Sequence, residues 1–170
     1  MSVELIELQE AYLPIVKDIY DYYIKNSTAT FHTGSITLQE LKEIIPLNHP
    51  KYKSFLIKHE GEICGYCYIS SFKKRQAYDH TAEFTIYLKP QFTGKNIGIP
   101  AMEKLEEVAK DNGIRVLIGV ITGNNFSSIR LMEKCGYEKC AHYQQVGEKF
   151  DQVLDVVSYQ KILYYIRNLK

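Results

Sequence analysis

The apolar positions change period several times along the chain, and each change marks an element. Residues 11–25 place Leu13, Val16, Ile19, Tyr20 and Tyr23 at helical spacing, with Pro14 in the first turn, which predicts a helix. The polar run NSTATFHTG, Asn26 to Gly34, reads as a loop. Thr37 and Glu40 form the T-x-x-E of a capping box and open a second helix to about Ile45, ended by the segment around Pro50. Two antiparallel strands are expected near 53–59 and 62–71, joined at Glu60-Gly61. Thr81 to Leu88 then alternates with period two. Ala82, Phe84, Ile86 and Leu88 share one face, and Thr81, Glu83, Thr85 and Tyr87 the other. After Pro90 come a loop with Gly94 and Gly98 and a helix with Pro100 in its first turn. That helix carries Ile99, Met102, Leu105 and Ala109 on one stripe and stops near Asn112-Gly113.

Ile114 to Ile121 is almost continuously apolar, as expected of a strand buried on both faces. TGNNFSS is a second turn-and-cap cluster, leading into a short helix with Ile129, Leu131 and Met132 that closes at Gly136. Two last strands are expected around 141–146 and 153–159, separated by GEKFD. Strand, helix and buried strand make one right-handed βαβ crossover. The whole order is two helices, an antiparallel meander, the crossover and an antiparallel end. It predicts a single α/β domain over residues 1–170 built on a mixed (α+β) sheet, and argues against a doubly wound dinucleotide fold.

Composition narrows the function classes. The 170 residues suffice to bury a core, and a formal net charge of +1 recommends neither nucleic acid nor a membrane surface as partner. No apolar run approaches the roughly 20 residues of a membrane span. The opening MSVELIELQEAYL lacks the layout of a signal peptide, so a cytoplasmic protein is expected. Cys64 and Cys67 form a CxxC, but residues three apart on a strand should point to opposite faces. With no second CxxC, ordinary thiols and no metal are expected.

Two features carry candidate chemistry. The loop from Gly94 to Ile99 delivers N–H groups at a helix start, where orphan donors and the helix dipole favour an anion. Just upstream, Glu83 is a carboxylate with no partner in the local pattern. The loop fits neither G-x-G-x-x-G nor the P-loop, and a glycine pair at a helix start also serves as a mere tight connection.

The order and spacing of several short segments are more specific. They are Thr30-Phe31, Arg75-Gln-Ala-Tyr78, Thr81-x-Glu83, Ile86-Tyr87-Leu88, Gly94-Lys-x-Ile-Gly98, Asn125-x-x-Ser128, Gly136-Tyr137, Val146-Gly147-x-Lys149 and Asp155. Together they make the chain resemble the GNAT superfamily of acyl-CoA-dependent N-acetyltransferases, in particular its phosphinothricin and methionine sulfone acetyltransferase group. The likeness runs over nearly the whole length. It implies a GNAT fold with splayed central strands, acetyl-CoA as cosubstrate, a small amino-acid-like amine as acceptor, and a homodimer.

It also implies roles. The main chain of Ile86, Tyr87 and Leu88 would pair with the pantetheine arm, and Gly94, Lys95, Asn96, Ile97, Gly98 and Ile99 would cradle the pyrophosphate. Asn125 would touch the cofactor with Ser128 nearby, a role compatible with capping the helix at Phe126. Glu83 matches the general base, the alternative being an ion pair with Arg75 or a lysine. Arg75 would hold an acidic group of the acceptor, or is a solvated charge of the run KKR. Phe31, His32 and Tyr78 would line the acceptor pocket.

The sequence departs from the family pattern at five positions. Asn96 replaces the middle glycine of the loop, and Thr93 a Gln or Arg. His32 replaces an acid, Val153 a tryptophan, and Met132 the residue that could protonate the leaving thiolate. Asn96 and Met132 favour one alternative, a catalytically weak domain that binds acyl-CoA as sensor or scaffold, while an intact Glu83 opposes it. A second alternative, an acetyltransferase for a protein N-terminus or lysine, would need an open, acid-lined groove, and Arg75 and the tyrosines suggest a compact, anion-tolerant pocket instead.

Overall fold

The computed structural model describes residues 2–165. Its sheet has seven strands, β1 (Val3–Glu7), β2 (Ser54–His59), β3 (Glu62–Ser71), β4 (Thr81–Leu88), β5 (Val116–Thr122), β6 (Glu138–Lys149) and β7 (Gln152–Ile162). They lie in the order β1-β2-β3-β4-β5-β7-β6, and every neighbouring pair is antiparallel except β4 and β5. Four helices flank it: α1 (Leu13–Asn26), α2 (Leu38–Ile44), α3 (Gly98–Asp111) and α4 (Phe126–Lys134).

The helices form for the reasons the sequence suggests. Thr37 Oγ1 accepts from Glu40 N–H at 3.1 Å while Glu40 accepts from Thr37 N–H at 2.6 Å, closing the capping box that starts α2. α3 buries Met102, Leu105 and Ala109 completely. Met102 and Leu105 each contribute about 1.5–3 kcal/mol on leaving water. α3 and α4 cover one face of the sheet with Met102, Leu105, Met132, Phe84 and Leu117. α1 and α2 cover the other with Val16, Ile19, Ile24, Leu41, Leu56 and Tyr66. The single crossover β4-α3-β5 is the predicted one.

Several expectations need correction. The chain opens on a strand, β1, rather than on a helix; it pairs with β2 from Val3↔His59 to Glu7↔Phe55. Cys64 and Cys67 do not diverge. A bulge pairs Ile57 with Gly65 but Lys58 with Ile63, leaving Cys64 as the extra residue. One extra residue reverses the strand's parity, so both thiols enter the same apolar cluster and are fully buried and free. β5 is not buried on both faces throughout, because Val120 is 50% exposed. The last two strands extend through most of GEKFD and turn at Phe150-Asp151. Of the apolar run 162–166 near the C-terminus, Leu163 packs on the core, Tyr164 and Tyr165 are exposed, and Ile166 lies outside the described residues.

The feature that positions the site is where the sheet fails to close. β4 and β5 pair only at Thr81↔Val116, Ala82↔Leu117 and Glu83↔Ile118. Beyond these three positions both strands continue without each other. The Phe84 ring lies against Gly119 where they part: a methyl on Gly119 would stand 2.8 Å from Phe84 Cζ.

Candidate active site

The gap leaves specific main-chain groups bare. Lys89 N–H donates to Cys64 O at 2.7 Å. Antiparallel alternation therefore turns the main chain of Glu83, Thr85 and Tyr87 toward β3. Phe84, Ile86 and Leu88 present their N–H and C=O groups to the gap. Ile86 and Leu88 thus face it as expected, whereas Tyr87 lines it only from the side. Tyr23 OH donates to Leu88 O at 2.5 Å across the mouth.

Behind the gap opens a cleft of about 620 Å³. Its walls are Phe84 to Leu88 of β4, Gly119 to Ile121 of β5, the start of α3, one face of α4, and Tyr23, Ser27 and Ala29 from the α1 side. Val120 is exposed because it belongs to this wall.

At the far end of β4 the chain makes a 3₁₀ turn, Pro90–Phe92, and enters the loop before α3. Gly94 (φ +73°) and Asn96 (φ +60°) are left-handed there. Asparagine tolerates that region better than most residues, so the loop keeps its turn without the middle glycine. Among the described residues no acceptor takes the N–H groups of Gly94, Lys95, Asn96, Ile97, Gly98 or Ile99; the first amide of α3 to find a backbone partner is that of Ala101, on Ile97 O. They are free donors at and before a helix start, and Gly94, Asn96, Ile97, Gly98 and Ile99 line the cleft. Lys95 is turned away, with its ammonium 5.3 Å from the centroid of the Phe92 ring.

On the opposite lip Asn125 Oδ1 accepts from Ser128 N–H at 3.3 Å, so Asn125 caps α4 while also lining the cleft beside Ser128. Arg130 and Lys134, one turn apart on α4, line the same cleft. Met132, buried, brings its thioether to the cleft wall and has no proton to give.

Glu83 lies one residue beyond the closed end of the cleft on β4, half-buried. Among the described residues it makes no hydrogen bond or ion pair, so the alternative pairing with Arg75 does not form. Burial raises its pKa above the ordinary carboxylate value by penalising the charged form. It shares the α1/α2 side of the sheet with a layer of tyrosines. Tyr68, opposite Thr85, is pushed up to about 12 by burial. Tyr20 OH shares hydrogen bonds with Thr30 Oγ1 (2.6 Å) and with His32 Nδ1, and its ring is 5.6 Å from that of Tyr87.

The other residues expected on the acceptor side are dispersed. Phe31 and His32 lie exposed on the loop after α1, next to this tyrosine layer. Arg75 is exposed at the start of the turn Gln76–Tyr78, and among the described residues its guanidinium makes no hydrogen bond. Tyr78 packs edge-on against Phe72 at 5.6 Å, with Lys73 over both rings. None of Phe31, His32, Arg75, Tyr78 or Glu83 lines the cleft itself. Sequence reasoning passed over Tyr23, Arg130 and Lys134. The spacing of Ser127, Arg130 and Lys134 on one helical stripe could have found the last two. Among the described residues no group of three metal-ligating side chains comes together, and no helix is long and apolar enough to cross a membrane.

Comparison with known proteins agrees with this geometry. Phosphinothricin N-acetyltransferase of Streptomyces viridochromogenes is 29% identical over 159 residues, which cover 94% of this chain and 87% of that protein. The L-methionine sulfoximine/L-methionine sulfone acetyltransferase of Pseudomonas paraeruginosa is 26% identical over 162 residues, 94% of each chain. A GNAT superfamily phosphinothricin acetyltransferase from Sinorhizobium meliloti, solved in complex with AcCoA, superposes with a TM-score of 0.88 at 29% identity, over 95% of this chain and 89% of that one. Residues 16–137 match the Acetyltransferase (GNAT) family, and the splayed sheet that they build is that family's fold. The chain therefore belongs to the GNAT acetyltransferases.

Proposed function

We propose that this protein transfers an acetyl group from acetyl-CoA to the primary amine of a small amino-acid-like molecule by direct attack, with Glu83 as general base. The observation that carries the reading is the unpaired stretch of β4 leading from a bare amide loop to a half-buried carboxylate that has no partner among the described residues.

The residues fit the cosubstrate. The free amides of Gly94 to Ile99 suit a diphosphate, and Asn96 adopts the left-handed backbone that the turn requires. The outward N–H and C=O groups of Ile86 and Leu88 suit the two amides of pantetheine, in the manner of an added strand. Asn125 and Ser128 flank the opposite side. Bound there, acetyl-CoA supplies an activated thioester.

An amine at neutral pH is mostly protonated and must lose a proton before it attacks. Glu83, held in a desolvated position, is a stronger base than a surface carboxylate and takes that proton directly or through one water. Alignment by the gap replaces any covalent step on the protein. Arg75 and His32 would meet an acidic group of the acceptor, and Phe31 and Tyr78 its side chain.

Coenzyme A leaves as a tolerable thiolate, so Met132 is compatible with turnover. Its lack of a proton also favours the second reading, a domain that binds acyl-CoA without catalysis. Thiol release over a panel of amino acids and polyamines separates the two: an enzyme releases thiol with at least one amine and loses that activity in Glu83→Gln, whereas a binder releases none. We also propose association of two copies through the exposed apolar side chains Tyr143, Val146, Phe150 and Val153 of the β6–β7 hairpin. Sedimentation at micromolar concentration tests it, and a monomer mass refutes it.

A further inference from the structure

Between α1 and α2 the segment Ser27 to Thr30 has no strand partner, yet each of its four carbonyls accepts a side-chain hydrogen bond. Lys149 Nζ, at the end of β6, donates to Ser27 O at 2.7 Å and to Thr30 O at 2.8 Å. Thr122 Oγ1, at the end of β5, donates to Thr28 O at 2.7 Å. Tyr87 OH, from β4, donates to Ala29 O at 3.3 Å. Thr28 Oγ1 in turn donates to Asn124 Oδ1 at 2.9 Å. The segment is thus a strap laid across the open side of the sheet and tied to three strands that do not touch one another there. Its inner residues Ser27 and Ala29 are cleft wall, and its continuation is Phe31 and His32.

The ties from β6 are the least replaceable. Lys149 is only 3% exposed, and among the described residues its ammonium has no carboxylate partner: its hydrogen bonds go to the two carbonyls, and the Phe150 ring centroid lies 5.0 Å away. Burial lowers its pKa from the ordinary lysine value. A buried ammonium is costly unless hydrogen-bonded, so the carbonyls of Ser27 and Thr30 and this ammonium hold one another in place. Two residues earlier, Gly147 seats the next part of the loop. A methyl on Gly147 would stand 2.3 Å from Phe31 Cε2 and 2.7 Å from Cζ, so the ring rests directly on the glycine backbone.

We infer that Gly147 and Lys149 are positioning residues for acceptor recognition: Lys149 fixes the main chain of the strap, Gly147 fixes the Phe31 ring, and together they set the acceptor side of the site from the far end of the sheet. The inference rests on the acetyl-transfer reading for its kinetic consequence and on the strap alone for its structural one. The β4 main chain and the Gly94–Ile99 amides proposed for the cosubstrate touch neither residue, and the strap meets that cleft only through Ser27 and Ala29, so the acceptor side should respond far more strongly than the cosubstrate side.

The test uses the full chain and its Lys149→Met, Lys149→Arg, Gly147→Ala and Thr122→Val variants. Coenzyme A affinity is read by calorimetry, acceptor KM and kcat by thiol release, and amide exchange over residues 27–32 and 94–99. For Lys149→Met the expected result is an acceptor KM raised about tenfold or more, coenzyme A Kd changed less than twofold, and faster exchange in the strap only. Arginine, with several donors, restores part of the loss. Gly147→Ala should alter the ranking of acceptors by side-chain size. Thr122→Val removes one tie without a buried charge and should shift acceptor KM in the same direction, which decides the matter if Lys149→Met does not fold. Equal effects on Kd and acceptor KM, or no effect on either, overturn the inference. If the wild type releases thiol with no amine, the acetyl-transfer reading fails by itself. Exchange in the strap, accelerated or not, then decides the inference alone.

Discussion

The gap that defines the site predicts the effect of one methyl group. Gly65 of β3 sits opposite Leu88, the last residue of β4. A Cβ built on Gly65 would lie 2.3 Å from Tyr87 O, 2.8 Å from Leu88 Cδ2 and 3.1 Å from Leu88 Cα. The closest close-packed C···O contacts between strands are about 3.3 Å, so Gly65→Ala demands a shift of about 1 Å. The obstructing atom is a ladder carbonyl rather than the tip of a flexible side chain. β3 cannot retreat freely, because its other edge is paired with β2 at Ile57. β4 can move, since nothing pairs with it on the gap side at this level. Overpacking of this kind costs about 1–3 kcal/mol, and the backbone contact puts it near the upper figure. At about 2–4 °C per kcal/mol for a domain of this size, Tm should fall by about 6–12 °C. The end of β4 should also tilt into the gap and weaken coenzyme A binding several-fold. Scanning calorimetry and titration of coenzyme A into the variant measure both effects. Gly34→Ala, whose methyl would meet nothing within 4 Å, serves as control with an expected change below about 0.5 kcal/mol. A Gly65→Ala protein with the wild-type Tm and coenzyme A Kd would refute both the contact and the mobility assigned to β4.

Two further outcomes follow from charge. Burial raises the pKa of Glu83 and no partner compensates it, so the folded state holds this proton more tightly than the unfolded chain. At low pH both states are protonated and Glu83 is neutral to stability; as pH rises through its unfolded and then its raised folded value, the carboxylate opposes folding. Glu83→Gln should therefore lower kcat/KM by roughly two to four orders of magnitude while raising Tm at neutral pH, with the gain in Tm vanishing in acid. A Tm that falls at neutral pH would mean that Glu83 is held by a favourable partner. Arg130 and Lys134 flank the amide loop across the cleft, so Arg130→Ala with Lys134→Ala should weaken coenzyme A about tenfold at low salt, from a net loss of about 1.4 kcal/mol, and flatten the salt dependence of Kd. An unchanged salt slope would show that neither cation meets a phosphate.

Local periodicity carried most of the fold. The capping box at Thr37, the alternation over Thr81 to Leu88 and the stripe on α3 are signals written within a few residues, and each produced the expected element. The failures have a common physical origin in partners far along the chain. β1 is five residues in which only Val3 is buried, and it becomes a strand because the edge of β2 is there to pair with. The bulge at Cys64 exists only relative to β2, so a strand read alone gives its thiols the wrong faces. Val120 reads as core and is solvent-facing because β4 has left it. In the candidate site, the place of Glu83 on β4 and the turn of the Gly94–Ile99 loop before α3 lie within their own motifs and were legible as elements, while their roles belong to the proposed function. The ties of Lys149 to Ser27 and Thr30 join residues more than a hundred positions apart, and nothing in either segment announces them.

The bare edges within the sheet have a consequence beyond chemistry. A parallel pair that stops after three residues leaves the molecule unfinished at its centre, and a ligand that lies along β4 completes the ladder that β5 abandons. Such a ligand binds the folded chain alone, so at a hundred times its Kd it adds about 2.7 kcal/mol to the resistance of the fold against heat and proteolysis. How long each copy survives would then follow how much thioester its surroundings supply, and a starved protein would be cleared sooner than a busy one.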